Sequence, residues 1–287
     1  MSSHVQDCCL SSFEYHLPVC LPSPTCCILS SGTRWSLRLD CPSYHCRPHQ
    51  TSANSSHKAC VVPRPIGWVS TLSRDGVANL APYSQFNNLT FDPPYVMFSA
   101  NLKPSATQKD SVRNAEATGV FCWNLATWDL REAVNATSEH FSASIDEFAQ
   151  AGLETRDSTL PELEITLTGG EKRRVPMVKK SPIQFECVHY TTLRLPGNPP
   201  MGAAEVVIGR VIGIHIDDGV LTEGKIDVRK TVPIARCGYF EYAAVRETFE
   251  MPPPINDLAM QVGLEGSTKG HRALEVQKDE GDEGDGK

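Results

Sequence analysis

The chain has 287 residues, of which 40% are hydrophobic and 21% charged, a composition that supports one substantial core with tails. Its formal net charge of -7 argues against a surface that attracts nucleic-acid backbones, and the basic residues between 172 and 180 form only a short cluster. The sequence has no apolar run long enough for a membrane-spanning helix and no export signal, so we expect a soluble, cytoplasmic protein without nucleic-acid or membrane partners.

The two ends of the sequence differ in composition from its middle. Residues 1–57 mix Ser, Pro, Cys and His without a period of 2 or 3.6, and we expect a disordered leader there. Most of the cysteines precede residue 61, but they lack C-x-x-C spacing, so an unstructured or non-native leader is preferred over its alternative, metal binding. Residues 256–287 are acidic and Gly-rich and are expected to form a solvated tail. One folded domain is therefore expected over residues 58–255.

Short strand-like runs separated by turn signals fill that domain. The first two runs flank Arg74-Asp75-Gly76, which favours a hairpin. The predicted strands are Pro65–Leu72, Val77–Ser84, Tyr95–Phe98, Gly119–Trp123, Ile183–Leu195 and Ala203–Ile216.

Helices are expected at three places between these strands. Thr107 and Asp110 have capping-box spacing, and apolar spacing indicates helices over Trp128–Asn135 and Ser144–Ala151. Many short strands interrupted by few helices predict a mainly β fold, an antiparallel barrel with helical insertions. Dinucleotide, P-loop and hydrolase motifs are absent from the sequence.

A series of motifs follows in order along the domain. It reads R-P-I-x-W-V-S-T from Arg64, D-G-x-x-N-x-A-P-x-S-x-F from Asp75, then D-P-P, K-D-S-x-x-N from Lys109, and T-G-x-F. This series, from about Val61 to Tyr242, resembles the flavin reductase-like, FMN-binding split-barrel family in its flavoprotein oxygenase-like branch. The sequence departs from the family at Arg210, where a glutamate is common, and in the lead-in before residue 60, which indicates an altered gene model or unusual splicing there.

The resemblance implies positions that would line the isoalloxazine ring and ribityl chain of a flavin. Such a ring needs backbone amides and small hydroxyls at its polar edge and apolar walls around it. For the hydroxyl residues among these positions, the alternative role is hydrogen bonding to neighbouring backbone. The implied ring-contacting residues are Ser70, Thr71, Asn79, Ala81, Pro82 and Ser84.

The phosphate end of a flavin requires positive charge and free N–H groups, which a helix N-terminus offers. Lys109 and Ser111 lie in the first turn of the helix predicted near Thr107, and Lys103 lies just upstream. Solvated surface side chains are the alternative for both lysines. Asp110 is expected to cap the helix rather than to contact the cofactor.

Later positions are also implied by the resemblance. Asn135 and Thr137 would lie near the cofactor edge, with a helix terminus and its cap as the alternative roles. His215 ends a long apolar strand and is the one candidate catalytic residue, although a structural role is the preferred interpretation. Arg236 and Tyr242 would complete the pocket from the last strands.

The resemblance implies an FMN enzyme, with FAD as the alternative cofactor, in which NAD(P)H passes a hydride to the flavin. It also implies a homodimer. A non-catalytic FMN-binding or electron-carrier module stays open as a second hypothesis, and a Cys-rich metal-binding interaction protein as a third.

Overall fold

The computed structural model of the chain describes residues 28–31, 34–37, 57–198 and 201–251. The leader and tail expected at 1–57 and 256–287 therefore lie almost wholly outside the described residues. Its strands are β1 (Ile28–Ser31), β2 (Arg34–Leu37), β3 (Arg64–Pro65), β4 (Gly67–Leu72), β5 (Ala78–Tyr83), β6 (Phe86–Phe91), β7 (Pro94–Asn101), β8 (Val120–Asn124), β9 (Thr155–Asp157), β10 (Glu164–Thr166), β11 (Lys172–Arg174), β12 (Pro176–Val178), β13 (Ile183–Leu195), β14 (Ala204–Ile216), β15 (Leu221–Thr222), β16 (Lys225–Ile226), β17 (Ile234–Arg236) and β18 (Tyr242–Ala244).

The helices named below are α1 (Asp110–Thr118), α2 (Arg131–Ala136), α3 (Glu147–Gln150) and α4 (Val228–Thr231), with 3₁₀ turns at Pro161–Leu163 and Asp218–Val220. Among the helices that the structure describes, none has the length and apolar character that crossing a membrane requires.

Seven strands form one antiparallel sheet in the order β5-β4-β8-β13-β14-β7-β6. The two edge strands, β5 and β6, are consecutive in the chain, with only Ser84 and Gln85 between them. The sheet must therefore curve until its first and last strands meet. Phe86 of β6 packs over Gly67 of β4, where a Cβ atom would lie 2.6 Å from the Phe86 ring, and it stacks on Trp123 at 5.4 Å. These contacts close the sheet into a barrel.

The central strands are apolar on both faces because each face is covered. Every residue of β4 is buried, and successive side chains point to opposite faces of a sheet. Trp68 accordingly joins one cluster of buried apolar residues and Val69 the other. In β8, Cys122 and Phe121 divide between the clusters in the same way. Burial on both faces explains the continuous apolar runs that predicted these strands.

The strands expected from the sequence are confirmed within a few residues, and β13 has the predicted bounds Ile183–Leu195. Strand β6 is missing from the prediction. It reads F-N-N-L-T-F, and only Phe86 is buried, because β6 is an edge strand exposed along most of its length. The short strands β9 to β12 also lie between Ala151 and Ile183, where no strand is predicted from the sequence.

Helix starts are the main error of the sequence interpretation. Helix α1 begins at Asp110 with Lys109 as its N-cap, and the Thr107 carbonyl instead accepts a hydrogen bond from the Lys103 backbone N–H. The capping box predicted from Thr107 is therefore wrong. Helix α3 begins only at Glu147, because the Asp146 side chain accepts hydrogen bonds from the N–H groups of Phe148 and Ala149.

Helix α2 begins at Arg131, not at Trp128. The Trp128 ring lies beneath the guanidinium groups of Arg131 and Arg246, at 4.3 and 4.9 Å from its centroid, and its backbone N–H bonds to the Val232 carbonyl. Trp128 is thereby held in a turn outside the helix.

Candidate functional site

A cleft of 470 Å³ opens between strand β5, the start of helix α1 and the segment that follows helix α2. Clefts of about 300–1,000 Å³ are typical of small-molecule sites in proteins. Residues 79, 81–83, 103–105, 109–111, 137–141 and 147 line it. Its wall thus combines a barrel strand with loops, the usual arrangement in which a rigid scaffold positions functional loops.

Helix α1 points its N-terminus at this cleft. Lys109, the N-cap residue, has an extended backbone, and no side chain caps the helix. The first N–H groups of a helix have no partner within it and carry partial positive charge. The first turn of α1 is therefore arranged to receive an anion.

Three basic side chains line the same cleft. Nζ of Lys103 lies 2.8 Å from Oδ2 of Asp110, whose other oxygen pairs with Arg113 at 2.6 Å. Burial and the charge of Lys103 lower the pKa of Lys109. The charge of Lys109, burial and the charge of Lys103 lower the pKa of His140. The lysine contributions to these two shifts indicate that positive charges lie close together in the cleft. We call Lys103, Lys109 and His140 the basic cluster.

A buried polar network lies beneath the cleft. The Ser111 hydroxyl donates to Oδ1 of Asn79 at 3.0 Å, and the Thr71 hydroxyl lies 3.4 Å from the same atom. Nδ2 of Asn114 donates to the Thr71 hydroxyl at 3.1 Å. All four residues are buried. Because the network joins β4 and β5 to α1, it fixes the helix start relative to the barrel.

Two further titratable groups face the cleft, Glu147 and Tyr83. Oε2 of Glu147 accepts a hydrogen bond from the Leu80 N–H at 3.2 Å, and burial raises the pKa of this carboxyl. Burial also raises the pKa of Tyr83, whose ring packs 4.9 Å from that of Phe98. Both shifts disfavour negative charge at the cleft wall.

The cleft brings together seven of the residues implied from the sequence: Asn79, Ala81, Pro82, Lys103, Lys109, Ser111 and Thr137. It does not bring in Ser70, Thr71, Ser84 or Asn135. Thr71 reaches it only through Asn79, and Ser70 lies buried where its hydroxyl accepts from the Asn124 amide at 3.2 Å. Ser84 contacts Gln85 at 3.4 Å, and Asn135 is exposed on α2, outside the lining.

The segment 137–141 supplies a whole wall that sequence reasoning mostly missed. Of its residues only Thr137 was singled out, and its hydroxyl accepts a hydrogen bond from the Trp68 indole at 2.9 Å. His140, Phe141 and Glu147 also line the cleft. No periodic pattern marks 138–141, because a loop wall has no repeating face.

His215 lies in a second cleft of 390 Å³ rather than in the first. Its Nε2 is 2.6 Å from the fully buried Glu186, which also accepts hydrogen bonds from the N–H groups of Thr159 and Leu160. The structural interpretation of His215 fits this pairing.

Arg236 and Tyr242 also lie outside the first cleft. They form a stacked pair, with the guanidinium 4.6 Å from the ring centroid. They therefore pack against each other and do not complete the cleft wall.

The buried thiols of Cys122 and Cys187 have raised pKa values because of burial, as expected for inert cysteines. Among the described residues, no cluster of three or more His, Cys, Asp or Glu side chains forms a metal site. Most leader cysteines lie outside those residues.

Known protein sequences match this chain over most of its described residues. The sequence profile of the flavin reductase-like domain matches residues 58–234. An uncharacterized protein of Aquifex aeolicus is 34% identical over 179 residues, which cover 62% of this chain and 82% of the relative. An uncharacterized protein of Halalkalibacterium halodurans is 34% identical over 194 residues, covering 68% and 87%.

Solved structures show the same fold. Nitrilotriacetate monooxygenase component B from Bacillus cereus superposes with a TM-score of 0.65 at 27% identity, covering 77% of this chain and all of its own. A split-barrel protein from Shewanella frigidimarina superposes with a TM-score of 0.58 at 20% identity, covering 72% and 94%. The fold expected from the sequence, a mainly β split barrel with helical insertions, is confirmed.

Proposed function

This chain belongs to the flavin reductase-like domain family, and we propose that it is an FMN-dependent oxidoreductase in which NAD(P)H passes a hydride to the flavin. The observation that carries the proposal is the cleft beside β5, which has the basic cluster and the start of α1 at one end and the buried polar network beneath it. Family membership supports flavin as the ligand, and the cleft supports its placement.

The residues of the cleft fit FMN in three respects. The volume of 470 Å³ lies within the range of small-molecule sites. The positive charge of Lys109 and the free N–H groups of α1 suit a phosphate. Along β5, Ala81 and Pro82 present short side chains that let a flat ring approach the strand backbone.

In this proposal the protein acts by binding and positioning. Bound FMN would supply the redox chemistry, which is the acceptance of a hydride from a nicotinamide nucleotide. Lys109 and the first turn of α1 hold the phosphate, while Asn79 and Ser111 supply polar contacts from the buried network. Asn79 and Ser111 also constrain each other, so little reorganisation accompanies binding. Glu147 and Tyr83, with raised pKa values, add little negative charge beside the ligand.

The proposal includes a homodimer. Large apolar side chains are exposed on the sheet, among them Leu89 of β6, Tyr190 of β13 and Ile214 of β14. Association of two copies would bury exposed apolar side chains of this kind. Sedimentation velocity at micromolar concentration would contradict this part if it gave only the monomer mass of 31.5 kDa.

The direct test is the visible spectrum of the purified full chain with added FMN, before and after addition of NADPH or NADH. We expect bound flavin absorbance that bleaches with the nicotinamide nucleotide under anaerobic conditions. A well-folded protein that does not bind FMN would overturn the proposal. Bound flavin without nicotinamide oxidation would favour a non-catalytic FMN module instead.

Lys109→Ala tests the site in the same assay and should weaken FMN binding. Lys172→Ala is a matched control, because Lys172 pairs with Glu164 on the exposed β10–β11 hairpin. Equal FMN affinity of both variants would contradict the assignment of the cleft.

A further inference from the structure

The members of the basic cluster differ in the ion pairs that they form. Lys103 is paired with Asp110, and Asp110 is shared with Arg113. Within the described part of the chain, no ion pair is found for Lys109 or for His140. The cleft therefore presents two basic groups that form no ion pair with a described residue, and one of them is an imidazole, the side chain whose charge changes most readily at physiological pH.

The pKa of His140 depends on charged groups from more than one element. Lys109 at the start of α1 and Lys103 in the loop before it both lower its pKa. Carboxylates also line the cleft: Asp110, already paired, and Glu139 and Glu147, the latter with a raised pKa. Without a bound anion, the charge of Lys109, burial and the charge of Lys103 favour the neutral form of His140.

We propose that His140 is the third cation of a phosphate-monoester site and takes up one proton when a dianionic phosphate binds. This inference rests on the proposed function and deepens it, since it assigns the cleft to FMN over FAD and riboflavin. A phosphate monoester carries a charge of about -1.5 to -2 at pH 7. Lys109 and protonated His140 together match that charge. FAD has no monoester phosphate, and riboflavin has no phosphate at all.

The direction in which FMN affinity changes with pH follows from the change in the pKa of His140 on binding. A dianion beside His140 replaces net repulsion with attraction, so the pKa of His140 is higher in the complex than in the free protein. The added affinity is fully present below the pKa of the free protein and is lost as pH rises through the pKa of the complex. The proton comes from solvent, and no bond other than that N–H forms.

The experiment is a pH series of fluorescence titrations with FMN and riboflavin, from pH 5 to 8.5, on the full chain. We expect FMN affinity to rise about tenfold as pH falls, which corresponds to a pKa increase of one unit. Riboflavin affinity should be flat, and so should FMN affinity of His140→Gln. His189→Gln is the matched control, because His189 bonds to Thr192 at 2.9 Å and does not line the cleft.

Two direct readouts of protonation accompany the titrations. Calorimetry in buffers of different ionisation enthalpy should show proton uptake with FMN that is absent with riboflavin, smaller with FAD and lost in His140→Gln. NMR of the His140 ring should show its pKa rising when FMN binds. FMN binding without pH dependence, proton uptake or a change in that pKa would overturn the inference and leave the proposed function intact. Failure of both FMN and riboflavin to bind at every pH would overturn the proposed function.

Discussion

The hydroxyl of Ser111 lies 3.0 Å from Oδ1 of Asn79, which connects the first turn of α1 directly to strand β5. The same acceptor atom is 3.4 Å from the Thr71 hydroxyl, so one carboxamide connects two strands and a helix. Because Asn79 also lines the cleft, the geometry of the proposed phosphate end and that of the barrel depend on one side chain.

Asn79→Ala should reduce both stability and FMN affinity. It leaves the hydroxyls of Ser111 and Thr71 without their buried acceptor, and an unsatisfied buried group costs about 1–3 kcal/mol. Urea denaturation and FMN titration measure the two effects. Asn88→Ala, on the exposed face of β6, is the control and should change neither. An Asn79→Ala protein of unchanged stability would show that the network does not fix the helix.

Lys109→Ala should weaken FMN binding by about tenfold to a hundredfold, because a hydrogen bond to a charged group contributes about 1.5–3 kcal/mol. Riboflavin binding should change little, since riboflavin has no phosphate. Raising the ionic strength should also weaken FMN more than riboflavin. Parallel titrations at two salt concentrations test this, and equal loss for both ligands would mean that Lys109 does not contact the phosphate.

Glu147→Gln should stabilise the protein at neutral pH. Burial raises the pKa of Glu147 above its ordinary value of 4.5, so its favourable contribution is present below that value and is lost as pH rises through the raised pKa. Glutamine keeps an acceptor for the Leu80 N–H and carries no charge. The stability gain over the unmodified chain should therefore grow between pH 4 and pH 7 in urea melts.

Glu132→Gln is the matched control for that experiment, because Glu132 is 83% exposed on α2. Its stability should follow that of the unmodified chain at every pH. A gain from Glu147→Gln that stayed constant with pH would contradict the assignment.

Glu186→Gln should destabilise the protein by about 2 kcal/mol or more, because Glu186 accepts hydrogen bonds from the N–H groups of Thr159 and Leu160 and from His215. Burial opposes its charge, yet these bonds lower its pKa. Its contribution is therefore present above the ordinary value of 4.5 and is lost as pH falls through the lowered pKa. The difference between variant and unmodified chain should shrink on acidification, as measured by thermal melts.

Variants of the second cleft also separate it from the first. His215→Gln removes one hydrogen bond to Glu186 and should lower stability by about 1 kcal/mol. FMN affinity should persist in this variant, since His215 does not line the first cleft. A large loss of FMN binding would favour the other interpretation of His215, as a candidate catalytic residue.

The sequence predicts the barrel well because its central strands are buried on both faces and read as apolar runs. It predicts Asn79, Lys103, Lys109 and Ser111 as neighbours only through an ordered series of motifs. It misses His140 and Glu147, since a loop wall and one acid in a short helix carry no periodic signal. Ser70 and Ser84 do not line the cleft, because the motif gives their position along the chain but not the direction of their side chains.

The link Ser84-Gln85 joins the two ends of the barrel sheet. Peptide bonds, rather than hydrogen bonds between paired strands, therefore connect the first and last strands of the sheet. A circularly permuted chain opened at this link would lose the covalent connection between β5 and β6. Closure of its barrel would then depend on the packing of Phe86 against Gly67 and Trp123. The covalent part of barrel closure therefore lies in this short link, which directly follows β5, the strand that lines the cleft.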